Sequence, residues 1–299
     1  ASQTAESLVV TDSTVQIPVM RPLIAMDKVQ IMDIAKEMIE TAAIFCKADA
    51  VKFQKRCNRE LLTEEQYNAP HPNPVNSYGK TYGEHREFLE FTKEQHRELK
   101  KYCEEKGIVY STSVWDLTSA KEIAELNPEF IKIPSACNNN YEMLEWLCDN
   151  YKGEIQISFG MTTHEEEEKV VELFEKKGRN KDLIVYCCTS GYPVPMEDVC
   201  LLEITRLIES YGSRVKEIGF SGHHNGIAID VKKYELLDCD SVSFDWEYNK
   251  EKVMVHHIGI FYKVIDYDND IKKEIEIDEK NDDSLGAEFY DIKVFVFLL

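Results

Sequence analysis

Residues 108–135 read IVYSTSVWDLTSAKEIAELNPEFIKIPS. The stretch opens with a β-prone run, IVYSTS (108–113), and closes with a second, FIKIPS (130–135). Between them TSAKEIAEL (118–126) spaces its apolar residues at the helical period. Strand, helix, strand within so few residues predicts a βαβ unit and therefore parallel strands. The same alternation extends in both directions. Further strand candidates are PLIA (22–25), DAVKFQ (49–54), EIQISFG (154–160), LIVYCCTS (183–190), KEIGFSG (216–222) and DSVSFDW (240–246). Helical periodicity runs through 32–45, 92–107, 164–178 and 196–212, with Gly107, Gly178 and Gly212 where helices should stop. Eight strands, with no Gly-rich dinucleotide fingerprint after the first, predict a closed (β/α)₈ TIM barrel of α/β class over a doubly wound sheet. In such a barrel chemistry sits at the C-terminal ends of the strands.

The expected organisation is an N-terminal tail or edge segment over 1–20, the barrel over 21–266, and a charged loop and apolar segment over 267–299. That last segment ends in EFYDIKVFVFLL, which is strongly β-prone. It could close the barrel, cover an edge or pair with another subunit, and the pattern leaves all three open.

Composition narrows the partners. With 43% hydrophobic residues in 299 the chain can build a large core, and no apolar run reaches the length of a membrane span. Its 35 basic and 55 acidic residues give a formal charge of −20, which repels nucleic acid and anionic membranes. Runs such as EEEE at 165–168 read as solvated surface. Nine cysteines with no CxxC spacing argue against a disulfide framework or a zinc ribbon. Most of them read as buried small apolar residues in a reducing, cytoplasmic setting. The N-terminal stretch has no basic region followed by an apolar core, so no secretory signal is expected.

In this acidic chain two lysines stand inside apparent strands. Side chains alternate along a strand, so Lys52 and Gln54 share a face that points into the barrel near its mouth, and Lys132 does the same between Ile131 and Ile133. A buried ammonium needs a partner. Hydroxyls surround these positions: Ser111 and Thr112 end one strand, Ser135 the next, and Ser158, Ser190 and Ser221 later ones. Together they form a plausible cradle for phosphate or carboxylate. The competing readings are helix N-caps for the hydroxyls and a structural ion pair for the lysines. After the seventh strand SGHHN (221–225) offers vicinal histidines, of which one is placed to bind a metal if a second ligand comes from a neighbouring strand.

Taken together, DAVKFQKR, YGKTYGEHREFLEF, FIKIPSACNNN, ISFGM, CCTSGYPVPMEDVCL and IGFSGHHNGIAID resemble the sialic acid synthase family, in order, from about residue 22 to 236. The resemblance implies condensation of phosphoenolpyruvate with N-acetylmannosamine or a similar N-acylated hexosamine, giving a nonulosonic acid, with a divalent metal, Mn²⁺ or Mg²⁺. It places Lys52, Thr112, Lys132, Ser135, Ser158, Ser190 and Ser221 around phosphoenolpyruvate, with Lys52, Lys132 and Tyr192 in catalytic positions. Gln54 and Tyr192 match positions lining the sugar side, and His223 matches the first metal ligand. Asp245, in SVSFDWE, is the nearest candidate for the second ligand, where the family has a histidine. The resemblance also implies a homodimer. Three positions depart from the pattern: Met26 stands where the family has a catalytic glutamate, Cys137 where it has an acidic residue, and only His256 and His257 approach a later D-H motif. No antifreeze-like domain is recognisable in the C-terminal segment. Two readings stay open, a synthase and a catalytically impaired relative that binds such anions or acts as a scaffold.

Overall fold

The computed structural model describes residues 28–72, 77–191, 193–224 and 229, together with the backbone of 241–245 and 293–297. Its strands form one closed parallel barrel in chain order. They are β1 (Ala50–Lys55), β2 (Val109–Val114), β3 (Phe130–Ile133), β4 (Glu154–Ser158), β5 (Leu183–Cys188), β6 (Glu217–Ser221), β7 (Ser241–Asp245) and β8 (Lys293–Phe297). The main helices are α1 (Lys28–Glu40), α2 (Asn58–Leu61), α3 (Glu64–Asn68), α4 (Tyr82–Leu89), α5 (Lys93–Lys106), α6 (Leu117–Ala124), α7 (Tyr141–Asn150), α8 (His164–Lys176) and α9 (Leu202–Tyr211).

Barrel closure differs in detail from the sequence reading. Predicted strand 22–25 lies outside the described residues, and so do 1–20 and 246–292. The eighth strand is instead the C-terminal 293–297, which pairs with β7 from Ser241↔Lys293 to Asp245↔Phe297 and with β1 from Ala50↔Phe295 to Lys52↔Phe297. Of the three fates open to this apolar stretch, closure of the barrel is the one adopted.

The register divides each strand between two environments. Val51 and Phe53 of β1 pack with α1 and α5, and Ile131, Ile133, Ile155, Ile157, Val185 and Phe220 pack with α7, α8 and α9. These outward residues form the main core. The alternate residues face inward, and at the N-terminal end Ala50 and Phe130 plug the barrel. Helix boundaries follow local chemistry. Thr92 and Thr163 cap α5 and α8 in reciprocal boxes with Gln95 and Glu166. Gly107 ends α5 at φ +70°, where a side chain would be strained.

The EEEE run is not simply solvated. Glu167 is buried, accepts Arg206 Nη2 on its two carboxylate oxygens at 2.9 and 2.7 Å, and so ties α8 to α9. Among the described residues no cysteine forms a disulfide, and no helix is long and apolar enough to cross a membrane.

Candidate functional site

The parallel registers bring one set of side chains to the inner face. Lys52 pairs with Ser111 and Gln54 with Ser113 across β1 and β2, and Ser113 pairs with Lys132 across β2 and β3. Lys132 pairs in turn with Gln156, Ser158 with Tyr186, and Cys188 with Ser221. Residues directly paired in a parallel sheet share a face, so one pleat carries both lysines, four serines, two glutamines, a tyrosine and a cysteine into the barrel. Lys52 and Lys132 are 4% and 2% exposed, which makes them buried cations in a chain of strongly negative charge.

Thr112 is not part of this face. It pairs with Phe53 and Ile131, both outward, and its hydroxyl donates to Tyr110 Oη at 2.7 Å in the layer that also holds His96. The expectation of an inward Thr112 is therefore corrected: in the STS of β2 the two serines point inward and the threonine outward. Ser111 and Ser113 are the residues that the motif resemblance passed over. Strand alternation counted from Lys52 was the signal available, but it needed the interstrand register. Ser111 also spends its hydroxyl on the Phe130 carbonyl at 2.7 Å.

At the mouth, the strand-end hydroxyls gather around Gly160. A methyl group on Gly160 would lie 2.5 Å from Ser190 Oγ and 2.6 Å from Ser135 Oγ, so only glycine leaves this space open. Ser135 Oγ accepts the Gly160 N–H at 3.0 Å and lies 3.4 Å from Cys188 Sγ. The buried Asn138 amide holds the turn by donating to the Ser158 carbonyl at 2.9 Å and to Thr162 Oγ1 at 2.5 Å. Among the described helices none is capped by a predicted strand-end hydroxyl; their side-chain caps are Thr63, Thr81, Thr92, Asp116, Asn140 and Thr163. Gln54, on the other side of the mouth, accepts a hydrogen bond from Arg56, whose guanidinium stacks on Trp115 at 4.4 Å and pairs with Glu90 at 3.5 Å. Tyr192 lies outside the described residues.

The vicinal histidines part company. His224 is buried against Phe220 and pairs through its backbone with Val194. His223 is half-buried at the mouth, with Nδ1 3.1 Å from the Thr189 carbonyl and 3.9 Å from Cys188 Sγ. A histidine that donates Nδ1–H to a backbone carbonyl is oriented as metal-ligating histidines commonly are. Asp245 ends β7, two residues after Ser243, which pairs with Ser221 of β6; the backbone thus brings it to the strand end beside the loop of His223. Burial pushes the Cys188 thiol up, yet the His223 ring, the Ser135 hydroxyl and Lys132 together outweigh it and hold it below its ordinary value. Cys137 is different. Its thiol is buried against the Val114 and Pro134 carbonyls, and burial pushes its proton affinity far up, so it stays a neutral thiol. Another triad, His164, Glu167 and Glu203, also comes within ligating distance, but Arg206 occupies both carboxylates.

Comparison with known proteins places this geometry. The model of the NeuB family matches residues 38–236. A second model, thiamine biosynthesis protein (ThiI), matches only 1–57. Human N-acetylneuraminate-9-phosphate synthase is 39% identical over 212 residues, covering 69% of this chain and 55% of that protein. The N,N′-diacetyllegionaminic acid synthase of Campylobacter jejuni is 27% identical over 209 residues, covering 70% of this chain and 61% of its own. The N-acetylneuraminic acid synthetase of Leptospira borgpetersenii, solved with citrate, aligns with a TM-score of 0.57 at 28% identity, covering 68% of this chain and 64% of that one. This chain thus spans about half the length of the human relative it matches. The relatives are sialic and other nonulosonic acid synthases. The family match takes in β1 to β6 and every site element from Lys52 to His223, and the chain belongs to the NeuB family of sialic acid synthases.

Proposed function

We propose that the barrel binds phosphoenolpyruvate and condenses it with an N-acylated hexosamine of the N-acetylmannosamine type. The observation that carries this reading is the pair of buried lysines, Lys52 and Lys132, on one inward face with Ser111, Ser113 and Ser158. Buried cations of this kind match the phosphate and carboxylate of the substrate, and charge-assisted hydrogen bonds to an anion are the strong ones. The Ser135 and Ser190 hydroxyls meet at Gly160 and add polar groups at the mouth. A family member solved with citrate, a tricarboxylate, is consistent with an anion site in this barrel type.

The chemistry follows from those roles. C3 of phosphoenolpyruvate adds to the sugar's aldehyde carbon, forming the new C–C bond, while the aldehyde oxygen takes up a proton. Water adds to C2, loses a proton, and the C2–O bond to phosphate breaks, releasing inorganic phosphate. Lys52 and Lys132 hold the phosphate as its charge grows on departure. Gln54, oriented by Arg56, would line the sugar side, where the family resemblance also assigns Tyr192. A divalent ion held by His223 and Asp245 would polarise the aldehyde and bind water.

A second reading has its own support. Cys137, buried and hydrogen-bonded to two carbonyls, offers no acid–base group where the family has an acid, and Met26 stands where the family has a glutamate. Loss of such a group costs about 10²–10⁴-fold each. On this reading the barrel binds the anion and does little chemistry.

One experiment separates them. The chain is incubated with phosphoenolpyruvate, Mn²⁺ and a panel of N-acylated hexosamines, and phosphate release is read. Sugar-dependent release supports the synthase. No release with any sugar, together with stabilisation by phosphoenolpyruvate, supports the binder; neither signal overturns both.

A further inference from the structure

We infer that Tyr186 is a positioning residue of the anion site, one that presents its ring face to the Lys132 ammonium and holds that charge in place for an incoming phosphate or carboxylate. This rests on the reading of Lys132 as an anion-binding lysine. Lys132 Nζ sits 3.4 Å from the centroid of the Tyr186 ring, and both residues are buried, at 2% and 0% exposure. An ammonium over an aromatic face is attracted by the ring quadrupole, most strongly where water is excluded.

The ring has little freedom to move. Tyr186 Oη donates to Gln156 Oε1 at 3.1 Å, and the same amide donates from Nε2 to Glu154 Oε1 at 3.0 Å. Tyr186 pairs with Ser158 on one side and Gly219 on the other. A methyl group on Gly219 would lie 2.7 Å from Cε1 and 2.8 Å from Cδ1 of the ring, so the absence of a side chain there lets the ring lie flush against β6. The hydroxyl on one strand and the bare backbone on the next set the plane to which Lys132 docks.

A ring face against the ammonium favours its charged form and fixes its position, which suits a ligand of phosphate or carboxylate type. The arrangement suits a site that must be charged and fixed before its anion arrives, which lowers the ordering cost of binding.

The test uses the full chain and measures affinity for inorganic phosphate and for phosphoenolpyruvate by calorimetry, with thermal denaturation recorded with and without ligand. Tyr186→Phe keeps the ring and should bind within about threefold of wild type. Tyr186→Leu should weaken binding by about 10- to 30-fold. Combined with Lys132→Met it should add no further loss, because the ring acts through that lysine. A Tyr186→Leu protein that loses thermal stability but keeps wild-type affinity would show a merely structural ring and overturn the inference. So would additive losses in the double variant. Should Tyr186→Leu fail to fold, Gly219→Ala displaces the ring without removing it and must weaken anion binding; unchanged affinity there also overturns the inference. If Lys132→Met itself leaves affinity unchanged, the anion site falls, and the role of Tyr186 with it. If Lys132→Met loses binding and Tyr186→Leu does not, only the role of Tyr186 falls.

Discussion

At the scale of single residues, the pleat decides which groups meet the ligand. Ile131 and Ile133 go to the helices, and Lys132 between them goes inside. Phosphoenolpyruvate should therefore raise the melting temperature, with the rise growing logarithmically above its Kd. Lys132→Met keeps the chain length and should abolish that rise in a thermal-shift titration while the protein stays folded. Thr112 makes the contrary prediction. Its hydroxyl serves Tyr110 outside the barrel, so Thr112→Val should leave anion affinity unchanged in calorimetry and cost about 1 kcal/mol in denaturant unfolding. At the mouth, His223→Ala should weaken Mn²⁺ binding at least tenfold by calorimetry, and an unchanged affinity would remove His223 from the metal site. Sequence inspection found both lysines because alternation is local. It missed Ser113 and Tyr186, since a serine or tyrosine in a strand reads equally as core until its neighbour across the sheet is known.

At the scale of elements, caps and periods were readable, but partners were not. α5 starts at its Thr92 box and ends at Gly107, both visible in the sequence. What α5 packs against was not visible. His96 on α5 is fully buried against Phe53, Phe91 and Tyr110, with Nδ1 2.8 Å from Tyr110 Oη. Burial, and then the charges of Lys55 and Lys28, lower its pKa to about 3 from an ordinary 6.5. The folded state therefore holds His96 neutral where the unfolded chain would take a proton. The stability it contributes is whole above pH 6.5 and is lost as the pH falls towards 3. Between pH 7 and 4.5 the wild type should lose about 2 kcal/mol more than His96→Gln, read as the difference in urea unfolding, which cancels the carboxylates common to both. An equal loss in both proteins would remove His96 from the acid response. The α8–α9 contact teaches the same lesson. A glutamate run looks solvated in sequence, and Glu167 becomes buried only because α9 brings Arg206 to it.

At the scale of the whole molecule, closure depends on a strand distant in sequence from its neighbours. β8 gives its backbone to β7 at five registered positions and to β1 at three, and Phe295 pairs with Ser243 on one side and Ala50 on the other. Phe295→Pro removes a backbone donor at the centre of that seam. It should destabilise the barrel by about 3 kcal/mol, seen as a lower midpoint in thermal denaturation monitored by circular dichroism. A proline variant of unchanged stability would mean that the seam contributes nothing to closure. The sequence by itself determined the α/β class, the parallel barrel, the main helix ends and the inward direction of Lys52 and Lys132. Each of these follows from periods of two or 3.6 residues and from caps within one turn, all local properties of the chain. Only the tertiary structure decided that 293–297 completes the sheet, that Thr112 turns outward, that Ser135 and Ser190 close on Gly160, and that Tyr186 lies under Lys132. Those facts depend on the register between strands and on contacts between residues far apart in the chain, and burial of the whole core selects them together.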